Sequence, residues 1–553
     1  MSNQPGLTPL GKFLSVLIIL GLIGVGGFVV FKKSRPGASS HDGGKPDEKA
    51  PASVVVEPQS STPRLPPPVP FVPKDNTVLV ELSEYAGYSG LIVANGGMEP
   101  NEQSFFFKKY GFKVKLTLSE EESWPALNSG KLAASATTTD VLAAYGRQFN
   151  VVVPAQIGFS RGADGVVVSS DIKRINDLKG KVLATSQFTE ADFFIRYLAQ
   201  EAGLQVKPLG SLDDVPSPDV VNVVYCTDAF AAGDLFLSEL KAGHHRLAGC
   251  VSWAPKTTDV VAQSDGKATM LTTNRNLLII ADILVVNRGF AEQQPKMLAG
   301  LVHGLIEGNR LVRDNPEEHL DVIGKAFNWD QARTKAELEK VHLANLPENL
   351  AFFSGAIDAA GSFDGIFQSA VYAYGKDLIK DPADPSRFLN PKPLDALKTS
   401  GEYASQQIAI APIRSEGKPV LEDNPLLSRD IRFYFEPNSA NLDMTSPDNT
   451  KNLEDIKRLL QVSPGSTILL RGHVDDTLVP QFRKQGGEAF VRKMAMAAME
   501  LSRNRALEVK KHVVTKFHVD DKRLETVGRG WEEPAGTDSE KNRRVEVQWF
   551  TLE

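Results

Sequence analysis

Leu469-Leu-Arg-Gly-His-Val-Asp-Asp476 is an apolar run that turns into a Gly-His-x-Asp corner. Three further segments follow it: Leu501-Ser-Arg-Asn-Arg-Ala-Leu-Glu-Val509, Val527-Gly-Arg-Gly-Trp531 and Asn542-Arg-Arg-Val-Glu-Val547. Together they predict a strand ending at Gly472, a helix carrying Arg505-Ala506, a second strand ending at a Gly turn, and a basic closing strand. Upstream, Ile431-Arg-Phe-Tyr-Phe435 alternates as a strand, Asn438-Ser-Ala-Asn-Leu442 forms a turn, and Asn452–Val462 is an amphipathic helix with Leu453, Ile456, Leu459 and Leu460 on one face.

These motifs, in this order, resemble the OmpA-like domain, an α+β family that binds peptidoglycan non-covalently. The resemblance covers residues 429–553. It implies that Asp475 accepts the ammonium, and Arg505 pairs with the carboxylate, at the free end of diaminopimelate in the wall peptide. A zwitterion needs one partner of each sign, and Arg offers carboxylate a bidentate fork. A surface Asp–Arg pair of little worth is the alternative. The sequence departs from the family at Val474, where Thr is usual, and at Ala498, often Asn. About fifteen extra residues around Gln481–Glu488 are placed to reshape or cover the pocket. Arg544 is expected to brace the fold or the pocket rim.

With 553 residues, the chain needs more than one core. A net charge of −6 without a basic stripe makes nucleic acid a poor partner. The two cysteines, Cys226 and Cys250, fit no metal-type spacing; one disulfide and two buried free thiols are both open.

Residues 1–33 read as an N-terminal anchor. Phe13–Phe31 is nineteen residues without a charge, about 29 Å as a helix, enough for a bilayer core. No small-x-small cleavage site follows, so an uncleaved transmembrane helix is expected. Lys32, Lys33 and Arg35 lie beyond it against Lys12 alone before it, a bias that would put the C-terminal side in the cytoplasm. A wall-binding domain requires the opposite orientation: a single pass through the inner membrane with the bulk of the chain in the periplasm. Residues 34–75 form a linker, with ten prolines between Ser34 and Lys74, expected to stay extended and give reach.

From 76 to 398 strands alternate with helices, an α/β pattern with a mostly parallel sheet. Ala163-Asp-Gly-Val-Val-Val168, Ile175–Lys181, Trp253-Ala-Pro255 and Asp282-Ile-Leu-Val-Val286 resemble the substrate-binding proteins of nitrate, sulfonate, taurine and bicarbonate importers. That resemblance implies a two-lobed periplasmic-binding-protein fold that closes on a small oxyanion. Ligands in open α/β sheets sit beyond the carboxyl ends of strands, where helix N-termini suit anions. Three strand-to-helix turns fit: Tyr88-Ser89-Gly90, Thr137-Thr138-Thr139, and Gln187 with Thr189. Each Ser or Thr could equally cap a helix. Trp253 is either a cleft wall or core. Asp164 and Asp282 match motif positions that cap turns or brace the crossing; Asp228 is a further cleft candidate, and His244-His245 reads as a solvated turn. Residues 399–428 read as a second linker.

The expected whole is a non-enzymatic envelope protein without cofactor or metal. Its partners are peptidoglycan, a small anionic solute, the lipid bilayer and an ABC permease or other inner-membrane partner. The roles that fit are transport receptor, ligand sensor, or a stator-like scaffold with a repurposed binding domain. Thiamin-pyrimidine synthases share the two-lobed fold, but the Cys-rich run they carry is absent.

Overall fold

Val151–Ser160 and Ala281–Asn287 are buried along their whole length, as strands covered on both faces must be. They pair antiparallel at the centre of a six-stranded sheet. Ala134–Thr138, Thr77–Leu82 and Lys113–Leu118 extend the sheet on one side, the last two in parallel register, and Val341–Leu343 closes the other. The helix Pro295–Asp314 packs on this first lobe; any side chain at Gly308 would strike the Gly90 carbonyl, so the two helices touch backbone to backbone.

A second, seven-stranded sheet runs Val55–Val56, Val221–Cys226, Val182–Thr185, Gly249–Trp253, Asp164–Ser169 and Ala268–Thr273, with Val206–Leu209 also on Val221–Cys226. The chain passes between lobes twice, from Ser160 to Asp164 and from Thr273 to Ala281. Asn274 clasps the two crossings: it accepts from the Gly162 amide (2.8 Å) and donates to the Ser160 carbonyl (3.0 Å) and Asp164 (3.3 Å). Cys226 and Cys250 are free and buried, on strands separated by Val182–Thr185. Two strand spacings, about 10 Å, exceed the reach of a disulfide, so the free-thiol alternative holds.

The C-terminal sheet has the order Leu427–Ile431, Val545–Phe550, Thr467–Gly472, Leu524–Gly528, the last two parallel. Its first strand ends at Ile431, where the sequence predicts one beginning. The 431–435 alternation instead continues as an extended rim with one bridge, Phe435 to Leu442. Gly472 and Gly528 are required by proximity: a Cβ on either would fall within 2.4 Å of the Ser502 or Met499 carbonyl of the helix crossing them.

Described here, in a computed structural model, are residues 54–119, 124–356, 361–410, 425–436, 439–463 and 465–550. The expected membrane helix Phe13–Phe31 lies outside them, and among the described residues no helix is long and apolar enough to cross a membrane. Of the two expected linkers, residues 34–53 and 411–424 lie outside the described residues. From Val54 onward the Pro-rich segment is laid along both lobes: Val55–Val56 joins the second sheet, Gln59 exchanges hydrogen bonds with Gln187 (2.7 and 2.8 Å), and buried Phe71 donates its amide to Asn287 (3.2 Å). Proline lowers the entropic cost of such docking, because its chain is already restricted.

The C-terminal domain is likewise docked, on the second lobe. Asn176 bonds the Ser428 backbone through both amide atoms (2.8 and 2.9 Å), Ile175 donates to the Leu426 carbonyl (2.9 Å), and Leu278, in the second crossing, donates to the Val462 carbonyl (2.9 Å). Arg458 reaches buried Glu201 at 2.7 Å. One apolar core runs through this junction.

Candidate functional site

Two cavities hold the chemistry. The first lies on the C-terminal domain, about 750 Å³ in volume, with Asp475, Arg505, Arg543, Phe435, Phe482 and Trp531 in its wall. The Gly-His-x-Asp corner aims Asp475 into it, and the helix crossing Gly472 presents Arg505 from the other side. The Arg505 guanidinium lies over the Phe435 ring (4.8 Å), and its Nε has no hydrogen-bond partner. Burial, then the neighbouring Arg543 charge, push its pKa down against the pull of Asp475. Asp475 accepts from Arg543 Nε (2.7 Å) and from the Thr477 hydroxyl. An incoming ammonium would therefore compete with Arg543 for Asp475, while the carboxylate of the same ligand would meet two guanidinium groups.

Under the pocket, Arg471 bridges Glu533 (2.6 Å) and Glu546 (2.5 Å), with His473 3.5 Å from Glu546. Burial raises the Glu546 pKa, but hydrogen bonds from His473 and Gln548 and the Arg471 charge outweigh it and hold the carboxyl at about 2. The His473, Glu533 and Glu546 ligand atoms are close enough to ring a metal ion, yet Arg471 already supplies the positive charge there. Asn542 braces the last turn through Ala535 and Gly536, and Arg544 pairs with Asp430 (2.9 Å). The extra residues at 481–488 belong to a helix, Val479–Phe517, broken at Gly486 and Gly487, the latter at φ +65°. The piece before the break carries Phe482 onto Trp531 and Phe490 (ring centroids 6.3 and 5.8 Å), forming one wall of the pocket.

The second cavity sits between the lobes and is nearly closed, about 10 Å³, lined by Ser83, Tyr85, Tyr88, Thr138, Asp164, Glu190, Trp253, Ile280 and Asp282. Of the nine expected ligand residues, Tyr88, Thr138 and Trp253 line it. Gly90 faces Asn309 of the helix Pro295–Asp314; Thr139 donates to the Ala281 carbonyl (3.4 Å); Gln187 holds the strap; Thr189 donates to the Ser186 carbonyl (2.8 Å). Ser89 and Thr137 are buried away from this lining. Helices do begin at Ser89, Thr139 and Glu190, and none of the preceding residues Tyr88, Thr138 or Thr189 caps one with its side chain. Asp228 caps the helix Ala229–Lys241 (2.7 Å).

The electrostatics run against the expected oxyanion. Among the described residues no Lys, Arg or His lines the cavity, while Asp164, Asp282 and Glu190 do. Burial lifts Asp140, just behind Thr138 and Thr139, and Asp164 up to about 7. Burial, then the Asp164 charge, raises Asp282 well beyond the usual carboxylate range, although Tyr85 donates to it (3.2 Å). An oxyanion here would meet carboxyl groups and no cation. Asp140, Tyr85 and Glu190 are not among the residues the sequence marks for the cleft; the one available signal is that Asp140 and Glu190 directly follow predicted cleft turns and Tyr85 lies three residues before one.

A two-lobed α/β fold is thus joined to a C-terminal domain whose pocket carries both signs of charge. Residues 434–548 match the OmpA family, and residues 101–319 match the family described as NMT1/THI5 like. The chain carries an OmpA-family domain at its C-terminus and an NMT1/THI5-like domain in its middle. It is similar to outer membrane protein Omp38 from two strains of Acinetobacter baumannii, 27% identical over 140 residues, 24% of this chain and 33% of that one. The chain thus spans about a third of the length of the curated relatives it matches. Similar solved structures include the periplasmic aliphatic sulphonate binding protein SsuA from Escherichia coli (17% identity, 57% of this chain, 97% of that chain, TM-score 0.43). The periplasmic nitrate-binding protein NrtA from Synechocystis PCC 6803 (14%, 60% and 90%, TM-score 0.42) and the desulfurization enzyme DSZB (14%, 59% and 100%, TM-score 0.39) are also similar.

Proposed function

We propose that this is a non-catalytic envelope protein that fixes a two-lobed solute-binding module to the cell wall. Its OmpA-family domain grips the diaminopimelate end of a wall peptide through Asp475 and Arg505. Its N-terminal segment anchors it in the inner membrane as a single span, with the remainder in the periplasm. The observation that carries the reading is that Asp475 and Arg505, 30 residues apart in sequence, open onto one cavity large enough for a peptide end.

Docking of the C-terminal domain on the second lobe, through Asn176, Ile175 and the Arg458–Glu201 pair, favours a ligand sensor over a receptor that diffuses to a permease. The alternative is an envelope scaffold or stator-like partner of a membrane complex; the nearly closed cleft supports it. The test is co-sedimentation of the detergent-solubilised full chain with purified sacculi. Binding that is lost in Asp475→Ala and Arg505→Ala supports wall attachment through this pocket. Binding unchanged in both would sink it.

A further inference from the structure

The inter-lobe cavity is lined by three residues with a buried polar atom that nothing in the protein satisfies: Thr138, whose hydroxyl can donate or accept, and Asp164 and Trp253. Asp164, 2% exposed, uses one oxygen on Asn274 and leaves Oδ1 without a partner. Trp253, 6% exposed, leaves its indole Nε1–H without a partner. Both residues line the same space. Buried groups of this kind each cost about 1–3 kcal/mol when unpaired, and native structures keep few of them. The Asp164 atom is an acceptor on an acid and the Trp253 atom a donor on an aromatic ring, so a single ligand that satisfies both must donate at one end and accept at the other.

The remaining lining fixes the charge of the donating end. Asp164 and Asp282 both line the cavity, and two buried arginines of the neighbouring segments are committed elsewhere: Arg161 donates to the Arg275 carbonyl (3.2 Å) and Arg196 to Asp192 and Tyr225 (2.8 and 2.6 Å). Tyr85 and Tyr88, edge to face at 5.1 Å, and Trp253, packed on Phe230 at 5.3 Å, supply aromatic walls. Carboxyls with aromatic faces and no competing cation form a site for an ammonium group. The closed space of about 10 Å³ suits one water-sized group, with the rest of a ligand requiring the lobes to part.

Resting on the reading of the middle domain as a solute-binding module, we infer that its cleft takes a small amino alcohol: the ammonium on Asp164 and Asp282, the hydroxyl oxygen accepting from Trp253 Nε1–H. The juxtaposition of an orphaned acceptor and an orphaned donor around two carboxyls distinguishes this ligand from a bare cation, which leaves the indole unsatisfied, and from an oxyanion, for which the lining offers no cation.

The experiment is calorimetric titration of the detergent-solubilised full chain at pH 8 with ethanolamine, methylammonium, tetramethylammonium, potassium, nitrate and methanesulfonate. Ethanolamine is expected to bind tightest, methylammonium at least fivefold more weakly, and the other four not at all. Asp164→Asn is expected to weaken ethanolamine at least tenfold. Should that variant fail to fold, Trp253→Phe, which keeps the wall and removes the indole N–H, is expected to bring ethanolamine down to the methylammonium level. Tetramethylammonium or potassium binding as well as ethanolamine would overturn the amino alcohol in favour of charge alone. Nitrate or methanesulfonate binding, unaffected by Asp164→Asn, would overturn the inference while leaving the solute-binding reading standing. Silence toward all six, with Asp164→Asn or Asp282→Asn raising Tm, would overturn both, because the acids would then be a closed core.

Discussion

The cavity between the lobes measures about 10 Å³ and is lined by the buried carboxyls of Asp164 and Asp282; the cavity on the C-terminal domain measures about 750 Å³ and is lined by Asp475 and Arg505. Charge therefore does different work in the two. In the wall pocket both signs are present and partly solvated, so the domain folds at little electrostatic cost and the charges are available to a zwitterion. In the cleft only carboxyls among the charged groups line the space and Asp164 and Asp282 are buried, so the acids oppose folding until they are protonated or paired. The C-terminal pocket offers both signs of charge to a ligand, whereas the cleft offers buried carboxyls whose charge state depends on what occupies it.

The comparison breaks most visibly with pH. Asp140 and Asp164 have folded pKa values of about 7 against an ordinary 3.8, so between these values the folded protein holds protons that the unfolded chain has lost. The unfolding free energy then falls as pH rises, because the folded state binds more protons, and it levels off above about 7. Shifts of this size correspond to roughly 4 kcal/mol per group at 1.36 kcal/mol per pKa unit. The denaturation midpoint should drop between pH 4.5 and 8. Asp164→Asn should flatten part of that slope and stabilise the protein at pH 8. A flat profile in the wild type would remove the contrast.

The two regions meet at the Arg458–Glu201 pair, which decides whether they behave as one body. Glu201 is 1% exposed, and burial raises its pKa despite the Arg458 charge. Arg458→Ala leaves that carboxylate buried without its cation, at a cost of about 3 kcal/mol. The expected outcome is a lower thermal midpoint together with new protease cleavage near 425, where the domain joins the lobe. Arg458→Met with Glu201→Met should recover most of the loss. Unchanged stability in the single variant would mean that the docking rests on the apolar core alone.

The wall pocket should respond in binding rather than folding. Arg505→Ala removes the cation on Phe435 and is expected to weaken binding to sacculi at least ~30-fold, the lower end of what losing one partner of a desolvated charged contact costs. Its thermal midpoint should stay near wild type, since desolvation and Arg543 already disfavour this charge. A large fall in stability with intact binding would reverse the assignment.

The legibility of the two sites in the sequence follows from how each is assembled. Asp475 and Arg505 sit in short local motifs whose glycines, Gly472 and Gly528, are dictated by the helix lying on the strands, so composition and geometry coincide within a few residues. The cleft is assembled from Tyr85, Asp164, Trp253 and Asp282, nearly two hundred residues apart, which only the two crossings clasped by Asn274 bring together. Its Ser and Thr turns do open helices, as their spacing predicts, yet the Thr139 and Thr189 hydroxyls serve the backbone while Glu190, beside Thr189, faces the space. The docking of the strap and of the wall domain depends on single polar residues, Gln187 and Asn176, that carry no signal in a lone sequence.

The smallest expected effect probes the segment that separates this wall pocket from a plain one. Leu478 and Phe482 belong to the extra residues before the Gly486-Gly487 break, and Phe482 packs on Trp531 across the cavity mouth. A ring placed there narrows the pocket toward the Asp475 side without touching either charge. Phe482→Ala should remove about 1 kcal/mol of contact, weakening sacculus binding severalfold, while Phe482→Leu keeps most of it. Arg483→Ala, whose partner Glu488 is exposed, should change nothing. If Phe482→Ala strengthens binding instead, the segment is a cover that the wall peptide must displace, and the pocket shares with the cleft the property of being partly closed when empty.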